Sequence, residues 1–339
     1  MSVPTANQHD PVPDAMPGSR VVSPGDPAIR YVGRWAAEGA GKRGNWIRPY
    51  FKLTFSGSTA IAIHLLERTD LAVVIDGHRH ELRAAAGLVT LGCGLAPTGP
   101  HVLTVSGLTG QDSVFFDRLH LDRDAVLHQS SRRMDHIEFI GDSITACENS
   151  CSRLVAQALG TESSCIAYPG MALRDGFGYY RTTPPLFGME SAYFKNSPPE
   201  RGTAGDWNFA ESPYRPDLIV VNLGTNDFAA IQGEPALIAR FREAFATLLQ
   251  GLRTRFPAAQ MFVLRPFTIS AEAVQTAIQE ATWARIEAGD LRIHYVDTSS
   301  WDVEIIPGDG IHPTGVGHVA IADQLVSLLR PFLKAGVAS

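Results

Sequence analysis

The chain has 339 residues, 45% of them hydrophobic, which is enough for two ordinary domains with their own cores and too apolar for extended disorder. Its formal net charge is -6, from 29 basic and 35 acidic residues with no long run of either sign, so charge gives no reason to expect a nucleic-acid or anionic-membrane partner. Four cysteines, Cys93, Cys147, Cys151 and Cys165, are too few and too scattered for a disulfide framework, and no stretch approaches the roughly 20 apolar residues of a membrane helix.

The opening MSVPTANQHDPVPDAMPGSR is rich in Pro, Asp and Ser and lacks the apolar centre of a signal peptide, so residues 1–27 are expected to form a flexible arm. On that reading the chain is cytoplasmic if complete, and secreted or periplasmic if a leader was removed. From Ala28 to about Leu127, short runs with period-two alternation are separated by turn residues. "YFKLTF" and "AIAIHLL" flank Ser56-Gly57-Ser58, and "LAVVI" runs into Asp76-Gly77, a dipeptide favoured in tight hairpins. Six or more such strands without a helical period predict an all-β sandwich or jelly roll over residues 28–130.

Beyond residues 131–135 the texture changes. "IEFI", "CIAY", "DLIVVNLG", "MFVLR" and "RIHYVD" are apolar strands, and helices are expected near Ser152 to Leu159, around Leu237 to Leu252, from about Ala271 to Glu287, and around Ile321 to Leu329. Apolar strands alternating with amphipathic helices predict a parallel sheet covered on both faces over residues 134–339, a three-layer α/β/α domain.

In such a sheet, ligands bind outside the carboxyl ends of the strands. Ser143 stands there, in "GDSIT" (141–145), just past an apolar strand and before a helix. Asp142 and Ser143 could be no more than a helix cap, as such residues often are. Two further stretches shift the balance. "LGTNDF" (223–228) brings Asn226 to the end of another strand, and "GDGIHPTG" (308–315) places Asp309 three residues before His312. A nucleophilic serine needs a base for its proton and a third group to hold that base, and Asp-x-x-His can supply both from one loop.

This ordered set, "GDSIT", "GTND" and "DGIHPT", resembles the SGNH or GDSL hydrolases, a superfamily of esterases and lipases. The likeness covers about 200 residues from Ile137 onward. "YVGRW", "VVIDG", "IEFIGDSIT" and "VVNLGTNDF" extend it to carbohydrate esterase family two, acetyl esterases with an N-terminal jelly roll. The resemblance implies Ser143 as nucleophile, His312 as general base and Asp309 as its orienting carboxylate. It implies an oxyanion hole from the Ser143 and Gly170 N–H groups and the Asn226 side chain. The chain departs from the family in two places: Cys147 stands where a glycine is frequent, and Pro169-Gly170 replaces a Ser-Gly pair. The implied activity is deacetylation of O-acetylated sugars, without cofactor or metal. Two alternatives remain: a broad esterase for small aryl or alkyl esters, and a carbohydrate-binding protein with a residual site.

Other residues have blander readings. Asp142 and Asp227 are expected to bind nearby N–H groups rather than a metal, because no ligand cluster accompanies them. His78 and His80 read as an exposed turn flank. His318 is a weaker base than His312, lacking an Asp three residues upstream. Cys147 and Cys151, four apart, could pair or hold a metal, and two buried thiols are the expectation. The aromatic-rich segment from Gly176 to Pro216 suits sugar faces, with Trp207 and Tyr179 as wall residues, although several of its rings could equally pack a small core of their own. The sequence leaves the oligomeric state open.

Overall fold

The computed structural model describes residues 18–129, 134–147, 150–177, 187–198, 205–210, 212, 215–267 and 271–334. Its N-terminal part is built from ten strands: β1 (Arg20–Val22), β2 (Arg30–Glu38), β3 (Gly41–Ser56), β4 (Ala60–Leu65), β5 (Thr69–Ile75), β6 (His78–Ala84), β7 (Gly87–Cys93), β8 (His101–Gly107), β9 (Phe115–Leu121) and β10 (Val126–His128). All of their pairings with one another are antiparallel. β3 joins two groups of strands. Its first half pairs with β9 through Lys42 and Arg43, and its second half pairs with β8 from Tyr50 to Phe55. Alternation along β3 buries Phe51, Leu53 and Phe55 and leaves Tyr50, Lys52 and Thr54 on the other face. The buried set meets Leu103 and Val105 of β8, Leu71 and Val73 of β5, Ile61 and Ile63 of β4 and Phe116 and Leu119 of β9 in one apolar core.

β1 corrects one expectation. Arg20–Val22 lies in the segment whose composition suggested an arm, yet it pairs with β9 and buries Val22. Two valines among Pro and Ser, only one of them buried, were too weak a signal for a three-residue strand.

The second part alternates strands and helices: β11 (His136–Gly141), α1 (Ser143–Ala146), α2 (Cys151–Leu159), β12 (Glu162–Ala167), α3 (Met189–Ala192), β13 (Leu218–Asn222), α4 (Thr225–Ile231), α5 (Pro235–Arg255), β14 (Gln260–Leu264), α6 (Glu272–Glu287), β15 (Ile293–Val296) and α7 (Gly315–Leu329). The five strands are parallel, in the order β15-β14-β13-β11-β12. Every residue of β11 and β13 is buried, because helices cover both faces. Ile137, Phe139, Leu218, Val220 and Phe262 face Val155 of α2 and Ile321 and Leu325 of α7. Their neighbours Ile140, Ile219, Val221, Met261 and Val263 face Phe241 and Phe245 of α5 and Ile278 of α6.

The two parts share hydrogen-bonded sheet. β12 meets β3 antiparallel at Cys165 and Ile47, so a fifteen-stranded mixed sheet runs through the molecule. That junction lies beside the carboxyl ends of β11 and β12, where the motif residues gather. Among the described residues, no helix is long and apolar enough to cross a membrane.

Candidate active site

β11 ends at Gly141, where the chain must turn tightly. A Cβ on Gly141 would collide with the Thr145 hydroxyl and sit 2.9 Å from the Asn222 carbonyl oxygen, so only glycine lets β11, β13 and α1 approach this closely. Asp142 then caps α1, its carboxylate accepting the Ile144 N–H at 3.0 Å. This cap leaves Ser143 as the first residue of α1, half-buried at the sheet edge.

His312 arrives from the loop before α7. That loop folds back on itself: Ile306 N–H donates to the His312 carbonyl at 2.8 Å and Thr314 N–H to the Glu304 carbonyl at 2.9 Å. Thr314 also caps α7, its hydroxyl accepting the Gly317 N–H at 3.1 Å. The imidazole Nε2 lies 2.8 Å from Ser143 Oγ, and its Nδ1 lies 2.7 Å from Asp309 Oδ2. The other Asp309 oxygen accepts the N–H groups of Ile311 and His312 at 2.6 and 2.8 Å. These backbone bonds, with the His312 ring, hold the Asp309 carboxyl down at about 2. It therefore stays anionic, and Nδ1 carries the proton that faces it, leaving Nε2 as an acceptor toward the serine hydroxyl. Hydroxyl, imidazole and carboxylate thus form one continuous hydrogen-bonded line.

The other motif residues connect to the serine turn through Asp142 and the loop around Met171. Asn226, in the first turn of α4, directs its side-chain nitrogen to the Met171 carbonyl at 3.0 Å and more loosely to Asp142 at 3.4 Å. Gly170, with φ of +73°, is the third residue of a turn closed by a 3.0 Å bond from Met171 N–H to the Tyr168 carbonyl. That left-handed position explains glycine after Pro169, a turn chemistry that replaces the Ser-Gly pair of the resemblance. Asp227 is fully buried and accepts the N–H groups of Leu173 and Arg174 at 2.8 and 3.0 Å, fixing the same loop from below. Burial pushes Asp142 up to about 6 and Asp227 up to about 7, against the pull of their N–H partners. Both accept hydrogen bonds from backbone N–H groups, and among the described residues no group of three or more His, Cys, Asp or Glu is arranged to hold a metal ion.

Trp207 is half-buried, and its ring lies against the guanidinium of Arg34, 5.8 Å from the ring centre. Tyr179 falls outside the described residues. His318 is buried and bonds Cys147 rather than Ser143, with Nε2 3.0 Å from Sγ. That contact was not legible from either residue, because Cys147 and His318 are 171 positions apart and neither belongs to a motif. Cys147 and Cys151 are not bonded to each other; Cys151 is buried as expected, and Cys147 is only half-buried. His78 and His80 are exposed beyond the Asp76-Gly77 turn.

Fold and site together define an α/β protein with a serine, an imidazole and a carboxylate aligned at the carboxyl edge of a parallel sheet, joined to a large antiparallel β region. Residues 139–320 match the GDSL-like lipase/acylhydrolase family, more than half of the chain, and the chain belongs to that family. Across 336 aligned residues it is 25% identical to the cellulase/esterase CelE of Acetivibrio thermocellus, covering 90% of this chain and 39% of CelE, so it spans about two-fifths of that relative's length. It is also similar to the structure of a family two carbohydrate esterase from Clostridium thermocellum in complex with cellohexaose, with a TM-score of 0.70 and 23% identity over 89% of this chain and 98% of that one. An acetyl xylan esterase from the rumen bacterium Butyrivibrio proteoclasticus gives a TM-score of 0.71 at 18% identity, over 92% of this chain and 98% of that one.

Proposed function

We propose that this chain is a serine esterase that removes acetyl groups from O-acetylated sugars or polysaccharides. The observation that carries the reading is the unbroken contact from Ser143 Oγ through His312 to Asp309, at 2.8 and 2.7 Å. His312 Nε2 takes the proton as Oγ attacks the ester carbonyl, and Asp309 stabilises the imidazolium and holds its orientation. His312 returns the proton to the departing sugar oxygen, leaving an acetyl group on Ser143. It then draws a proton from water, which attacks the acyl-enzyme and releases acetate.

In both steps the carbonyl oxygen gains charge. The Ser143 and Gly170 N–H groups and the Asn226 side chain are the proposed donors to it. One Asn226 hydrogen is held by Met171, and the longer contact to Asp142 leaves the second available for an oxyanion. Trp207 and Tyr179 are the proposed substrate wall. The family two esterase that binds cellohexaose and the acetyl xylan esterase support a glycan substrate. The same likeness supports reading residues 28–130 as a jelly-roll sandwich and 134–339 as the catalytic domain.

The test is turnover of acetylated xylo-oligosaccharides and of a small aryl acetate, followed by treatment with a serine-directed phosphonate and mapping of the adduct. Ser143→Ala is expected to lower kcat by about 10⁴-fold or more with unchanged circular dichroism. A phosphonate adduct on any other residue would overturn the assignment.

A further inference from the structure

Three cysteines lie near the junction of the two parts, and their surroundings differ. Cys151 is buried in α2, and burial pushes its thiol up to about 12. Cys165 on β12 is raised further for the same reason and turns its Sγ to the Thr145 carbonyl at 3.5 Å. Cys147, the residue that ends α1, is half-buried and has an imidazole nitrogen 3.0 Å from its Sγ. That imidazole, His318, is 5% exposed, and its Nδ1 has no hydrogen-bond partner. Burial and the nearby His312 both lower its pKa, so the ring is a neutral base at pH 7.

Cys147 also opens onto a cavity of about 280 Å³ between α2, β12 and the outer face of β3 and β8. Arg48, Lys52 and Arg153 line this cavity together with the hydroxyls of Thr104 and Ser106, and none of its described lining residues is a carboxylate. Lys52 reaches Glu162 at 3.5 Å behind it. Arg48 adopts a left-handed φ of +46°, a conformation that non-glycine residues rarely hold. A half-exposed thiol beside a neutral base in electropositive surroundings is the environment of reactive cysteines.

We propose that Cys147 is a nucleophilic modification site, assisted by His318, that captures small anionic electrophiles from this cavity, and that the adduct silences the Ser143 centre. Anionic disulfides are the class that would make the adduct reversible. There Cys147 Sγ forms a new S–S bond, the S–S bond of the disulfide breaks, and the leaving thiolate takes the thiol proton by way of His318 Nε2. Silencing follows from position. Cys147 ends the helical turn that Ser143 begins, and its partner His318 lies within electrostatic reach of His312. Capture of the electrophile does not depend on the esterase reading; only the silencing does.

The experiment treats the full chain with iodoacetate or iodoacetamide and follows each cysteine by mass spectrometry, with exposed Cys93 as internal reference. Alkylation forms the Sγ–C bond, breaks C–I, expels iodide and passes the thiol proton to His318. Iodoacetate is expected to label Cys147 at least about tenfold faster than Cys93. That ratio is expected to fall about threefold or more with neutral iodoacetamide, in His318→Gln, or in Arg153→Gln, whose exposed side chain makes it safe for folding. Turnover of a small acetate ester should disappear in step with the Cys147 mass shift, and Cys147→Ser should keep turnover and resist the reagent. Labelling of Cys147 no faster than Cys93 overturns the site, and full labelling with undiminished turnover overturns the silencing. Because the labelling is read by mass, either result is distinguishable from failure of the Ser143 assignment.

Discussion

At the residue scale, the site separates groups that act on the substrate from groups that hold them. In the proposed mechanism Asn226 belongs to the first set, as a donor to the oxyanion. Asn226→Ala is therefore expected to lower kcat about 100- to 1000-fold while KM changes little, and a loss confined to KM would assign it to ground-state binding instead. Asp142 and Asp227 belong to the second set, two buried carboxyls below the serine turn. Burial raises both, so between about pH 4 and pH 7 the folded chain keeps protons that the unfolded chain has released. The sign follows: stability contributed by these groups is greatest in acid and declines as pH rises toward about 7. Asp227→Asn removes one of the two titrations and leaves one fewer acceptor for Leu173 and Arg174 N–H. Its melting temperature should be lower throughout, but with a flatter decline from pH 4 to pH 7 than the wild type. Parallel Tm curves for the two proteins would rule out Asp227 as the titrating group.

At the element scale, what holds His312 in place is the start of α7. Thr314 does this twice, as N-cap to Gly317 and as a partner of the Glu304 backbone and side chain. Thr314→Ala should cost about 1 kcal/mol of stability, typical of a lost cap. It should also lower kcat more than KM, because the imidazole loses its fixed approach to Ser143; a stability loss with kcat unchanged would show that the Ile306 to His312 bond alone is sufficient. The legibility of the sequence divides along similar lines. The candidates Ser143, Asn226, Asp309 and His312 could be singled out because each sits in a short motif just after a strand or before a helix, and the structure brings Ser143, His312 and Asp309 into contact. β11, β13 and β14 could be read within a few residues because continuous or near-continuous burial leaves a largely apolar run, whereas β12 and β15 mix buried and half-buried residues and were marked only by their apolar parts. α1 and α4 are four and seven residues long, too short to establish a helical period, and they begin inside the motifs themselves. The Cys147 to His318 contact and the pairing of β12 with β3 join residues more than 100 positions apart. No local pattern encodes such a meeting; it follows from how the two parts pack.

At the scale of the whole molecule, that packing depends on a buried cation. Arg34 of β2 is 1% exposed and crosses from the β region to the segment after α3. It donates to the Tyr193 carbonyl and, at 2.6 Å, to the Lys195 carbonyl, while its guanidinium stacks 4.6 Å from the Tyr193 ring centre. Tyr193 in turn donates its hydroxyl to Glu138 at 2.5 Å, inside β11, the strand that ends at the serine turn. Trp207 is tied to the same assembly, its N–H donating to the Phe194 carbonyl at 2.8 Å. Through Arg34, and with Trp46 Nε1 also donating to the Lys195 carbonyl at 3.4 Å, the β region is tied to the segment after α3 and, by way of Tyr193, to β11. Arg34→Met keeps most of the volume and removes the donors, leaving buried carbonyls unpaired at an expected cost of about 2–4 kcal/mol. If Trp207 is part of the glycan wall, KM for acetylated oligosaccharides should rise about threefold or more, while kcat on a small aryl acetate, which needs only the Ser143 line, stays within about twofold. Equal losses on both substrates would mean that Arg34 supports the catalytic strand through Glu138 and that the aromatic segment contributes nothing to glycan binding.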